Sequence, residues 1–142
     1  MAKRKPRTAW ELCERVCEAI AAHPGGYLQE MWVTRGKKVI GRAMSASLPR
    51  KEICGTAFCR AGWLIEVADG AGAAAAMACS WEARANALLG VPHSATHNLF
   101  AASALGALKP GTKAYVREGI AGLRRFMKAH EAHLKARVLK GL

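Results

Sequence analysis

The residues best suited to chemistry lie in one short segment, Cys54-Gly-Thr-Ala-Phe-Cys59-Arg-Ala-Gly62-Trp63. Two thiols this close could form a reversible disulfide, contribute a metal pair, or supply a nucleophile. Gly55 and Gly62 permit close backbone approaches, and Thr56 is placed to cap a helix with Cys59 in its first turns. Amides at such a helix end favour a thiolate or a bound anion. The competing reading is structural: small residues let the helix pack tightly against Trp63. No His and acid pair accompanies the cysteines, so the sequence names no catalytic set and points away from an enzyme.

Zinc is the metal to weigh. Cys54, Cys59, His93 and His97 form C-x4-C and H-x3-H, a two-thiolate, two-imidazole set on paper. The His pair would share one face at i and i+4. The gap between the pairs is far longer than a compact finger uses, and the cysteine spacing skips the tight knuckle turn. The expectation is therefore free thiols near Trp63 and no cofactor, with zinc as the alternative. Cys13 and Cys17, also i and i+4, read as two buried small hydrophobes.

The same segment resembles the C-G-T-x-x-C-x-A-G-W stretch of a group of short bacterial and phage proteins. In that group a Trp-bearing extended stretch precedes it, and A-x-x-L-L-G and then L-F follow. Here those places are taken by Trp32, by Ala85-Asn-Ala-Leu88-Leu89-Gly90 and by Leu99-Phe100. The likeness covers roughly residues 32 to 100. It implies a shared helical fold and brings no activity with it.

The second source of chemistry is charge. Lys plus Arg number 22 against 10 Asp plus Glu, a net charge of +12. Solubility needs far less, and such a charge attracts polyanions. Toward the C-terminus, Lys113, Arg117, Arg124, Lys128 and Lys135 fall within about 60° of one another on a helical projection. Val116, Ile120, Leu123, Met127, His130 and Leu134 form an apolar stripe about 90° away. Arg35, Lys37, Lys38 and Arg42 make a second basic patch. Lys3, Arg4, Lys5 and Arg7 open the chain as a basic tail, read as flexible. A phosphate backbone is what such rows suit, because each contact adds counterion release; a solvated face is the bland alternative.

Residues 85–100 also resemble a helix-turn-helix superficially. Asn86 and Thr96 stand where apolar residues pack in that motif, and the second helix carries no Arg or Lys. A plain helical corner is the favoured reading.

These residues need elements to hold them. Four Trp, two Tyr and three Phe in a chain rich in alanine favour close-packed helices over a sheet. Thr8-Ala-Trp-Glu11 is a capping box, with Leu12, Val16, Ala19 and Ile20 recurring behind it until Pro24-Gly25-Gly26. A short hairpin can turn at Arg35-Gly36-Lys37. Phe58, Gly62, Leu64, Ile65 and Val67 mark the buried side of a helix that Asp69-Gly-Ala-Gly72 breaks. Ser80 caps a helix over 81–89, which Gly90 and Pro92 end; Ser94 caps another through Phe100. Pro110 and Thr112 introduce a long last helix running to about Val138.

The expectation is a mainly α, compact single-domain helical bundle at 8–142, with a tail at 1–7 and room for a short β-hairpin near 27–42. No apolar run reaches the ~18 residues that a membrane span needs. Five cysteines, an odd count, and no secretion signal suggest a reducing cytoplasm. The reading is a basic protein that binds DNA or RNA mostly through the backbone. One alternative is a factor, of phage type, that engages an acidic host protein; another is a thiol redox or zinc module. The oligomeric state is not legible.

Overall fold

Thr8 adopts an extended conformation and its Oγ1 accepts the Glu11 amide at 3.2 Å, opening helix α1 (Ala9–Ala22). The computed structural model describes residues 4–23, 32–35, 38–42, 56–57, 60–70, 73, 81–100, 108 and 112–140. Its architecture is mainly α. Glu11 completes the cap by accepting the Arg7 amide at 2.8 Å. Leu12, Cys13, Val16, Cys17 and Ile20, spaced at helical intervals, form the buried face of α1.

The hairpin falls where the sequence predicts it. Strands β1 (Trp32–Arg35) and β2 (Lys38–Arg42) pair antiparallel, with Trp32 opposite Arg42 and Arg35 opposite Lys38. A two-residue strand, β3 (Thr56–Ala57), extends it on the far side of β1. This corrects the reading of Thr56 as a helix cap. Thr56 pairs with Arg35, a place that suits a β-branched residue, and Ala57 after it is still in the strand, ahead of helix α2 (Arg60–Asp69). The helix end invoked to favour a thiolate at Cys54 is displaced accordingly.

Ala61, Leu64, Ile65 and Ala68 are the buried apolar positions of α2, and Val67 packs against the core. Gly70, at φ +106°, follows the helix. Helices α3 (Trp81–Leu89) and α4 (His93–Phe100) meet at Gly90, whose φ of +69° suits a glycine and whose amide returns to the Asn86 carbonyl at 2.8 Å. Helix α4 begins at His93, with the Ala95 amide bonded to the Pro92 carbonyl at 3.0 Å. Ser94 is therefore inside the helix and does not cap it. Ser80, read as the α3 cap, lies outside the described residues.

Thr112 caps helix α5 (Lys113–Ala129), its Oγ1 accepting the Tyr115 amide at 3.2 Å. The expected single helix to Val138 is corrected here: it breaks at His130, and a second helix, α6 (Glu131–Ala136), follows. At the break the His130 amide is shared between the carbonyls of Phe126 and Met127, and the His130 ring lies 4.6 Å from that of Phe126.

The break redirects the chain toward its own beginning. Val138 pairs with Thr8, the Ala9 amide donates to the Arg137 carbonyl, and the Leu139 amide donates to that of Arg7. Pro6 is buried as well. The last residues of the expected tail thus belong to the folded part. Helix α1 packs against α2, α5 and α6, and α2 against α3. Trp81, Leu12, Ile20, Leu64, Ile65, Leu89, Leu123 and Leu134 are almost wholly withdrawn from solvent in this shared core.

Candidate functional site

The buried residues of α5 are Tyr115, Gly119, Leu123, Phe126 and Met127, while Val116 and Ile120 are only half-buried. The apolar face is therefore rotated from the stripe read in the sequence. At about 100° per residue its centre lies some 140° from the cations, where the sequence reading has about 90°. The rotation carries Lys113, Arg117, Arg124 and Lys128 further from the core, and all four are exposed.

The helix offers this row no counter-ion. Glu118 is the one acid of α5, and it is paired with Arg125, away from the four cations. Among the described residues no ion pair involves Lys113, Arg117, Arg124 or Lys128. The row runs straight for ~22 Å at the helical rise of ~1.5 Å per residue. Ala114 and Ala121 are the small residues beside it. Such a surface holds fixed positive charges toward solvent, with nothing in the helix to neutralise them.

Lys135 is corrected out of the row. The break at His130 places it on α6, where its ammonium lies 4.7 Å from the centre of the Trp10 ring and 3.7 Å from Glu131. Both contacts engage the charge within the fold. In the second patch, Arg35 and Lys38 are register partners in the hairpin, and Arg42 pairs with Trp32. Lys37 lies outside the described residues. The two basic groups occupy separate elements.

Cys54 and Cys59 lie outside the described residues, as does the expected packing of their thiols near Trp63. His93 and His97 are both on α4, with side chains that are not described. Among the described residues no group of three His, Cys, Asp or Glu could hold a metal. Cys13 and Cys17 are buried free thiols, as read from their spacing. Burial pushes the Cys13 thiol up to about 12, with Cys17 and Glu14 adding to it. Burial raises the Cys17 thiol too, and the charges of Arg124 and Arg60 oppose the rise. Both are inert protonated thiols at neutral pH.

The helical corner explains its own oddities. Thr96 is fully buried on α4, and its Oγ1 donates to Oδ1 of Asn86 on α3. The two departures from the helix-turn-helix pattern are thus partners in one hydrogen bond across the turn.

Sequence reasoning missed three cationic or polar features. Arg60 is 3% exposed, and its guanidinium donates to the carbonyls of Gly119 at 2.9 Å, Leu99 at 2.9 Å and Glu118 at 3.2 Å. The only sequence signal was the pair Gly119 and Gly122 in an otherwise good helix-former run. At the end of α3, Arg137 donates to the Ala87 carbonyl at 2.8 Å, and a ring nitrogen of His133 lies 3.3 Å from that of Leu89. These groups meet carbonyls that a helix end leaves unpaired. An open recess of about 390 Å³ between α1 and α2 is lined by Lys5, Arg15, Glu18, His23 and Val67 among others. The His23 ring stacks on that of Trp63 at 6.1 Å.

No protein-family profile matches the chain, and no curated protein or solved structure is significantly similar to it. Among the described residues no helix is long and apolar enough to cross a membrane.

Proposed function

We propose that the protein binds nucleic acid through the exposed face of α5, by contact with backbone phosphates and without reading bases. One observation carries this: Lys113, Arg117, Arg124 and Lys128 share one face and have no ion-pair partner among the described residues, while the acid of the same helix is paired elsewhere. Fixed cations in a row gain by displacing condensed counter-ions from a polyanion. The net charge of +12 adds a general attraction that brings the polyanion near. Arg35, Lys37, Lys38 and Arg42 of the hairpin region supply a second contact in this reading. In this reading the protein acts in the cytoplasm.

An acidic protein partner would press on the same four cations, so the test must separate the two. Four phosphate contacts give a slope of about −3.6 in log K against log salt for B-form DNA. Fluorescence anisotropy with unrelated DNA sequences across a salt series should return a slope at least that steep, since the hairpin cations add contacts, and similar affinities for all of them. A slope near zero, or strong dependence on sequence, would count against backbone binding.

A further inference from the structure

Resting on the reading of α5 as a phosphate-binding row, we infer that its preferred polyanion is a duplex and not a single strand. Proteins that hold single strands without sequence preference pair a basic groove with exposed aromatic rings on which bases stack. The α5 face has none. Its two aromatic residues, Tyr115 and Phe126, are 2% and 8% exposed and belong to the core. Beside the cations stand Ala114, Ala121 and the half-buried Ile120. Trp10, on α1, is partly buried and covered by the Lys135 ammonium.

Rigidity points the same way. The row is fixed along ~22 Å because Leu123, Phe126 and Met127 anchor the opposite side of α5 in the core. A duplex presents charge already ordered, about one per 1.7 Å of its axis. A single strand must be straightened along the row, and without stacking nothing on this face offsets the ordering entropy. The alanines beside the row let the helix surface approach a duplex backbone closely.

The test uses the full chain and four labelled 20-mers at one salt concentration: DNA duplex, RNA duplex, and an unstructured single strand of each chemistry. Duplex binding at least about tenfold tighter than single-strand binding supports the inference, and the two duplex arms identify which backbone geometry is favoured. Equal or tighter binding of the single strands overturns it. The same titrations on the protein with all four α5 cations reversed to Glu distinguish the two failures. Lost binding in that variant with a single-strand preference in the parent sinks the duplex inference alone. Retained duplex binding in that variant sinks the row itself, and the inference with it.

Discussion

The guanidinium of Arg60 occupies the space that a side chain at position 122 would fill. A Cβ built on Gly122 would overlap Nη2 of Arg60, the group that donates to the Glu118 carbonyl. The glycine is thus a socket for a buried cation whose donors reach carbonyls on α4 and α5. The Leu99 carbonyl lies on α4 and those of Gly119 and Glu118 on α5, so one guanidinium ties the two helices together.

Arg60→Met should destabilise the fold by about 1–3 kcal/mol, since it removes a buried charged donor from three carbonyls. Gly122→Ala should also destabilise it, despite alanine's better helix propensity, because the guanidinium must leave its carbonyls. Urea unfolding reads both. A Gly122→Ala variant more stable than the parent would show that the socket is not needed.

Acid should weaken the N-terminal cap. The Arg7 amide, and then the charge of Arg4, hold the Glu11 carboxyl below its ordinary value. A carboxyl lowered by folding stabilises the fold above its unfolded-state value, about 4.3. That contribution disappears as pH falls through the lower, folded-state value. Glu11→Gln should therefore flatten the loss of stability below about pH 4.3, measured as denaturation midpoints at successive pH values. Parallel curves for parent and variant would contradict the assignment.

The bond between Thr96 and Asn86 gives a third expectation. Thr96→Val and Asn86→Ala should each cost about 1 kcal/mol, and the double variant should cost less than their sum because the two share one interaction. Strict additivity in a double-mutant cycle would remove the pair as a link across the turn.

What was legible in the sequence was local. Thr8, Thr112 and Gly90 act on residues within a turn of themselves, so their types alone marked where helices start and stop. The face of α5 was legible only approximately. Val116 and Ile120 continue the apolar spacing as well as Tyr115 and Phe126 do, and the choice between them is made by packing on α1 and by the seat for Arg60 beside Gly119 and Gly122. Arg60 itself reads as a surface residue, since its Gly119 partner is 59 positions away in the chain. The break at His130 escaped for the same reason. It is stabilised by pairing of residues 137–139 with residues 7–9, which no helical periodicity reveals.

The break makes Lys135 a control for the row. Its ammonium is engaged by Trp10 and Glu131, so Lys135→Glu should reduce nucleic-acid affinity much less than Lys128→Glu does. Anisotropy titrations of the two single variants against one duplex decide this. Equal losses would mean that net charge matters and the α5 face does not.

The most direct measurement combines Lys113→Glu, Arg117→Glu, Arg124→Glu and Lys128→Glu in one chain and titrates it with duplex DNA at ~0.1 M salt. All four side chains are exposed, so circular dichroism and the unfolding midpoint should change little. Affinity should fall at least about 100-fold, and the salt slope should become shallower by about 3.6, the share of the four α5 contacts. A folded quadruple variant that binds as the parent does would contradict the account.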